Sequence, residues 1–183
     1  MQTKQELRKF AKDVRETLNI DVISEQILQI FLSSDIYNNA KNIASYYPYN
    51  NELNIIKLFK ENNKNFYLPK MKENDEITFH PYKKDDTLIK NSFNILEPIT
   101  NPVNPDIIDL MILPALMCDK KGFRLGYGKG CYDKFLSQQN FSRIKVVFIP
   151  DELLVNSLPA DKNDIPVDFV FTQSKIITVN QEI

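Results

Sequence analysis

The chain has 183 residues, 43% of them hydrophobic and 26% charged, with a formal net charge of −1. That length suits a single domain, residues 1–183, with enough chain to bury a core without cross-links. A charge this close to zero offers no basic excess for nucleic acid or for an anionic membrane surface.

The N-terminal run MQTKQELRKFAK is polar and charged, so no signal peptide is expected, and no apolar run reaches the length of a membrane span. Thr3 with Glu6 predicts a capping box, and Leu7, Phe10, Ala11, Val14 and Leu18 predict the apolar face of a first helix. Lys4, Arg8, Lys12 and Arg15 are expected on the opposite side. A second helix is expected from Ser24 to Leu32, with Ile27, Ile30 and Phe31 inward. Asn42 to Tyr47 reads as a strand closed by Pro48, Leu53 to Lys60 as helical, and Asn65 to Leu68 as a strand stopped by Pro69. The stretch from Lys70 to Pro105 is polar and proline-bearing. Apart from the alternating run Glu76 to His80, it reads as a hairpin and a long surface loop of the kind that borders sites.

Ile107 to Leu113 is a nearly unbroken apolar run, which predicts a central strand buried on both faces. A glycine-rich loop follows, then a helix from Cys131 to about Gln139, and strands at Lys145 to Ile149, Asp168 to Thr172 and Ile176 to Val179. Strands alternating with helices indicate an α/β fold with a largely parallel sheet. Cys118 and Cys131 make neither a CxxC nor a zinc spacing, so a reduced, cytoplasmic setting is expected. His80 is the only histidine, which excludes a histidine metal cluster and leaves a Ser-His-Asp site little to stand on.

The four glycines, Gly122, Gly126, Gly128 and Gly130, all fall in the run GFRLGYGKG. Average composition would scatter roughly a dozen along the chain. Glycines at alternating positions permit positive φ and close approach to a ligand. A loop that opens a helix favours an anion there, and Arg124 and Lys129 add positive charge. The spacing is neither that of a Walker loop nor that of a Rossmann fingerprint. A tight structural turn is the plainer alternative. Asp133, in the first turn of the next helix, is either a helix-end carboxylate or a magnesium ligand. Cys131 is either an activated thiol or a tolerated filler. Lys4 and Arg8, one turn apart, suit a solvated basic face as well as a ligand site.

The runs LPALMCD from Leu113 and GFRLGYGKGCYD from Gly122 resemble the signature of 5-formyltetrahydrofolate cyclo-ligases. Further likeness is spread along the chain, in Lys4-x-x-x-Arg8, Tyr46-Tyr47-Pro48 with Glu52, the YLPK run from Tyr67, and Asn163-Asp164 with Asp168. Three positions depart from the family pattern. Asn163 stands for a usual His, Cys131-Tyr132 for a Tyr-Tyr pair, and Phe93 for an aromatic position often filled by Trp.

The resemblance implies a three-layer α/β sandwich like the ribose-phosphate isomerase and CoA-transferase group. It also implies ATP and Mg²⁺ as cofactors and a reduced folate as the small-molecule partner of a monomer. Position by position, Lys4, Arg8, Arg124, Leu125, Gly126, Tyr127, Gly128, Lys129, Gly130, Cys131 and Tyr132 would hold ATP, with Lys129 and Arg124 as the catalytic cations. Tyr47, Glu52, Tyr127, Gly128, Lys129, Gly130 and Cys131 would border the folate, and Asp133 and Asp164 would bind the metal. Phosphoryl transfer relies on positioning and charge neutralisation, which these residue types supply without a strong general base. A non-catalytic nucleotide or sugar-phosphate binding protein, or a paralogue with another substrate, are the competing expectations.

Overall fold

The structure is a computed structural model, and it describes residues 2–138 and 143–179. Helix α1 (Lys4–Thr17) begins at the expected capping box: Glu6 N–H donates to Thr3 Oγ1 at 3.2 Å, and Thr3 N–H donates to Glu6 Oε2 at 2.7 Å. Its inner face is Leu7, Ala11 and Arg15, while Phe10 is 46% exposed. The expected face is therefore rotated, and Arg15 lies inside rather than on the solvent side. An arginine can occupy an inward position when its stem packs and its fork finds carbonyls.

Helix α2 (Ile20–Leu32) starts earlier than expected, with Asn19 Oδ1 accepting from Val22 N–H at 3.2 Å. Ser24 sits within it, its hydroxyl donating to Ile20 O at 2.6 Å. Ile27 and Phe31 are buried and Ile30 half-buried. A short helix α3 (Asp35–Asn39), capped by Ser34, escaped the apolar pattern because it spans little more than one turn. The expected helix at Leu53–Lys60 reduces to a 3-10 turn, Ile56–Lys60.

The strands are β1 (Asn42–Ala44), β2 (Asn65–Met71), β3 (Ile77–Tyr82), β4 (Leu88–Lys90), β5 (Leu96–Pro98), β6 (Leu110–Leu113), β7 (Met117–Asp119), β8 (Arg124–Leu125), β9 (Ile144–Phe148), β10 (Leu154–Val155), β11 (Phe169–Phe171) and β12 (Ile176–Thr178). Helix α4 (Cys131–Gln138) lies between β8 and β9, and its expected end at Gln139 falls outside the described residues. The main sheet runs β12-β11-β9-β6-β1-β2-β3. The β11, β9, β6, β1 and β2 pairings are parallel, and the two edge strands β12 and β3 are antiparallel.

The segment 107–113 is central, as expected, but the strand begins only at Leu110. Pro105–Ile107 forms a 3-10 turn, and the Asp109 carboxylate accepts from Lys41 and Asn42 N–H at 3.0 and 2.8 Å. β2 passes straight through Pro69, opposite Phe79. β1 ends beside Tyr67, so at Pro69 one flank of β2 has no partner strand and a missing N–H is tolerated there.

Along each central strand, side chains alternate between two buried clusters. Ala44, Tyr67, Met111, Leu113, Val147 and Val170 join one, with Leu7 and Ala11 of α1 and Phe135 of α4. Ile43, Phe66, Leu110, Ile112, Val146 and Phe171 join the other, with Ile27 and Phe31 of α2. The sheet is thus covered on both faces, which is why its central strands read as continuous apolar runs. Among the described residues no helix is long and apolar enough to cross a membrane.

The glycine-rich stretch is not one loop. It opens with a hairpin, β7 to β8, extended by β10 into a small separate sheet. The buried Asp119 carboxylate builds that turn, accepting from Lys121 and Phe123 N–H at 2.9 Å each and from Leu158 N–H at 2.9 Å. Gly122 holds φ +84°, and a Cβ there would lie 2.7 Å from Val167 O. Gly122 is therefore a structural turn residue, and the candidate ligand loop is residues 126–130.

Candidate functional site

The hairpin delivers residues 126–130 to the start of α4, where Lys134 N–H donates to Gly130 O at 2.9 Å. Gly128 (φ +112°) and Gly130 (φ +67°) carry the left-handed turns, and nothing lies within 4 Å of a Cβ placed on Gly130. The inner stripe of α1 packs on this loop. Arg8 Nε donates to Gly126 O at 2.9 Å, and its guanidinium carbon would lie 3.3 Å from a Cβ on Gly128. Arg8 is therefore drawn to the glycines and is not part of a free basic face.

Two aspartates arrive at the same place, each already paired. Lys4 Nζ donates to Asp164 Oδ2 at 2.6 Å and to Asp161 Oδ2 at 2.7 Å. Burial acts to lower the Lys4 pKa, but these two hydrogen bonds outweigh it and raise it. Burial likewise acts to raise the Asp164 pKa, and the Asp161 N–H and Lys4 together hold it below the usual range. Arg124 Nη2 donates to Asp133 Oδ1 at 3.0 Å, and Ile165 N–H donates to the same oxygen at 3.1 Å. The Arg124 side chain is only 4% exposed and lies near the Tyr132 ring, its Nε without a partner. In this state Arg124 faces Asp133 rather than the open loop.

Lys129 points the other way. Its Nζ lies 3.7 Å from the centroid of Phe93 and 3.9 Å from Asp75 Oδ1. Both partners belong to the long polar stretch that was expected to border a site. Leu125 is buried in the hairpin, and Cys131 is 7% exposed with its thiol pKa raised by burial. Burial also raises the Tyr132 phenol, with the Glu52 charge adding to it.

At the far end of the loop, Tyr127 reaches Glu52. The phenol and the carboxylate act on each other, and Glu52 Oε2 accepts from Tyr49 N–H at 2.9 Å. Burial pushes the Glu52 carboxyl above the usual range, opposed by Tyr127, by the Tyr49 N–H and by the charge of Arg15. Burial and the neighbouring carboxylate push the Tyr127 phenol well above its ordinary value. The Tyr127 residue is 48% exposed overall, so it is the hydroxyl end that is enclosed. A cleft of about 750 Å³, lined by Arg15, Pro48, Asn51 and Glu52 among others, opens on this side, a size suited to a small molecule. Its lining includes Glu52, on which Tyr127 of the glycine loop acts. Tyr47 stands apart: its ring stacks on Phe59 at 6.2 Å and meets Tyr82 edge-on, in the cluster on the other face of the sheet.

The structure thus brings together Lys4, Arg8, Gly126 to Gly130, Asp133 and Asp164, and ties Glu52 to them through Tyr127. Sequence reading missed Asp161, Asp75 and Arg15 as members. Only the spacing of Arg15 from Arg8, seven residues and so the same helix face, carried a signal. Among the described residues no group of three or more metal-ligating side chains occurs. The pair of aspartates still fits a hard cation beside a phosphate. Such a site needs only one or two carboxylates, and Asp133 and Asp164 each use a single oxygen in their recorded bonds.

A mostly parallel, doubly covered sheet with a cation-flanked glycine loop opening a helix defines the class: an α/β protein with a glycine loop at a helix start. The chain belongs to the 5-formyltetrahydrofolate cyclo-ligase family, whose model matches residues 1–173. It is 34% identical over 116 residues to the mitochondrial 5-formyltetrahydrofolate cyclo-ligase of Arabidopsis thaliana, covering 51% of this chain and 41% of that one. It is 33% identical over 99 residues to the Escherichia coli K12 5-formyltetrahydrofolate cyclo-ligase, covering 52% and 54%. The matched stretches span about half the length of these curated relatives. The solved NMR structure of Aquifex aeolicus 5,10-methenyltetrahydrofolate synthetase superposes with a TM-score of 0.86 at 31% identity, covering 98% of this chain and 94% of that one.

Proposed function

We propose that this protein cyclises 5-formyltetrahydrofolate to 5,10-methenyltetrahydrofolate at the expense of ATP, releasing ADP and phosphate. The observation that carries the reading is that Arg8 bonds the glycine loop while Lys4 holds Asp164, whose neighbour Ile165 bonds Asp133 at the start of α4, with Tyr127 of the same loop acting on Glu52. One end of the site is cationic and rich in backbone N–H, suited to phosphates. The other is a carboxylate suited to the amino edge of a pterin.

In the reaction, the formyl oxygen attacks the γ-phosphorus as the bond to ADP breaks. The second folate nitrogen then adds its lone pair to the activated carbon, the carbon–oxygen bond breaks with phosphate leaving, and the nitrogen's proton passes to water. Lys129 and Arg124 would offset charge on the transferring group, and Lys4, Arg8 and the amides of Leu125 to Tyr132 would hold the nucleotide. Glu52 and Tyr127 would orient the folate, along with the backbone of Gly128 to Cys131, while Tyr47, packed on Phe59 and Tyr82, would act only by supporting that segment. Asp133 and Asp164 would hold Mg²⁺, which supplies charge neutralisation at the phosphates when bound.

The same reading takes residues 1–183 as one monomeric domain working in the cytoplasm without nucleic acid. It takes the architecture as a three-layer sandwich of the ribose-phosphate isomerase and CoA-transferase type, supported by the two clusters on opposite faces of the sheet. Incubation with 5-formyltetrahydrofolate, ATP and Mg²⁺ should give rising near-ultraviolet absorbance from the methenyl product, dependent on all three. Binding of ATP with no product would favour a non-catalytic nucleotide-binding protein instead.

A further inference from the structure

Arg15 lies two turns beyond Arg8 on the inner face of α1 and is 3% exposed. Its guanidinium makes no ion pair among the described residues. Instead Nη1 donates to Asn51 O at 3.1 Å, and Nη2 to Ala115 O at 2.8 Å and Leu116 O at 3.3 Å, while Nε has no partner. Burial lowers the guanidinium pKa, with Tyr127, Tyr46 and Glu52 acting in the opposite direction. A buried cation without a counter-ion is costly, and an apolar side chain of similar volume would serve packing alone at least as well.

The carbonyls that Arg15 holds belong to the two segments that meet at the site. Asn51 directly precedes Glu52. Ala115 and Leu116 lead into the β7–β8 hairpin, and Leu116 N–H donates to Leu125 O at 2.8 Å, one residue before the glycine loop. The ionisable groups that couple electrostatically to Glu52 are Arg15 from α1, Tyr46 from the segment after β1, Tyr127 from the loop and Tyr132 from α4. Tyr46 tightens the same turn, its hydroxyl donating to Leu53 O at 3.2 Å.

We propose that Arg15 is a positioning residue for the substrate end of the site, tying the Glu52 turn to the base of the glycine loop and placing a buried positive charge beside the Glu52 carboxylate. This rests on the folate reading. An ionised carboxylate offers two acceptor oxygens to paired N–H donors, and a protonated one has given up part of that capacity. Arg15 therefore sets both the register and the charge of the group that meets the folate.

The test is calorimetric titration of 5-formyltetrahydrofolate and, separately, of ATP into the whole protein, from about pH 5 to about pH 8. Arg15→Met should weaken folate binding about 10-fold at neutral pH, with the deficit growing as pH falls, because removing the cation raises the Glu52 pKa further. ATP affinity should change by less than about twofold, since the phosphate-side contacts are untouched. Arg15→Lys keeps the charge and loses the fork, so folate affinity should fall about threefold with the wild-type pH dependence. In a Glu52→Gln background, Arg15→Met should cost only the roughly threefold due to the lost fork, with no growth of the deficit as pH falls.

Equal weakening of both ligands at every pH overturns the inference, as does additivity with Glu52→Gln. If Arg15→Met does not fold, the lysine variant decides: no folate-specific loss overturns the proposal. Wild-type protein that neither binds nor converts the folate overturns the folate reading and this inference together. Conversion by the wild type, with variants that behave otherwise than stated, overturns the inference alone.

Discussion

Gly122 and Gly128 are six residues apart in the same glycine run and do opposite work. Gly122 turns a hairpin whose inside is filled, with Val167 O 2.7 Å from where a Cβ would stand and the Val179 methyls 3.1 Å away. Gly128 turns a loop whose outside faces Arg8, and the next glycine, Gly130, opens on free space. One glycine is required because protein already occupies the place of a side chain. The others leave room beside cations and a helix start. Glycine density therefore marks backbone that needs freedom, and only the neighbours say whether a ligand is the reason.

The largest effect expected from this contrast is on stability. Gly122→Ala combines a positive φ with a clash against backbone and should cost about 3 kcal/mol. Thermal unfolding measures it, and turnover per folded molecule should stay near wild type. A variant that melts normally but loses turnover would move Gly122 into the ligand loop. Lys129→Ala should do the reverse: unfolding unchanged, and ATP-dependent turnover down about 100-fold, the scale of a lost electrostatic contact in the transition state. Its Nζ lies over Phe93 and 3.9 Å from Asp75 on an exposed surface, so little packing is lost. Full turnover at low ATP would remove Lys129 from the chemistry.

The aspartates sharpen the comparison on the ligand side. Asp133→Asn should raise the Mg²⁺ needed for half-maximal turnover about threefold, more than Asp164→Asn does. Asp133 stands three residues past Gly130, in the first turn of α4, whereas Asp164 is held through its bonds to Lys4 and Asp161 N–H. A Mg²⁺ titration unshifted from wild type in both variants would make both carboxylates structural. The smallest effect belongs to Gly126→Ala. Its nearest neighbour would be Arg124 Nη1 at 3.5 Å, an ordinary contact, so stability should move by less than about 0.5 kcal/mol. A rise of severalfold in the ATP KM, without a stability change, would show phosphate lying close to that backbone.

Much of the fold was legible because its causes are local or repetitive. The capping box at Thr3 needs only residues three apart. The apolar runs at 110–113 and 146–148 betray strands covered on both faces, since nothing polar occurs there. The glycine loop was legible as a candidate site because all four glycines fall in one run. The membership of that site was less so. Arg15 was expected in solvent, and the apolar pattern of α1 cannot say which helix face meets carbonyls contributed by residues 51, 115 and 116. Pro69 was read as a stop because the end of β1 beside it is not written locally.

By itself the sequence determined an α/β chain, its central strands, its first helix cap and a cation-bearing glycine loop, because each rests on near-neighbour sterics or on a periodic need for burial. The tertiary structure alone decided that Gly122 is structural, that Lys4 pairs with an aspartate 160 residues away, and that Arg124 faces Asp133. It alone tied Glu52 through Tyr127 to the loop. The physical reason is that charge pairing, close approach and desolvation depend on distance in space, and those distances exist only once the two faces of the sheet have been covered.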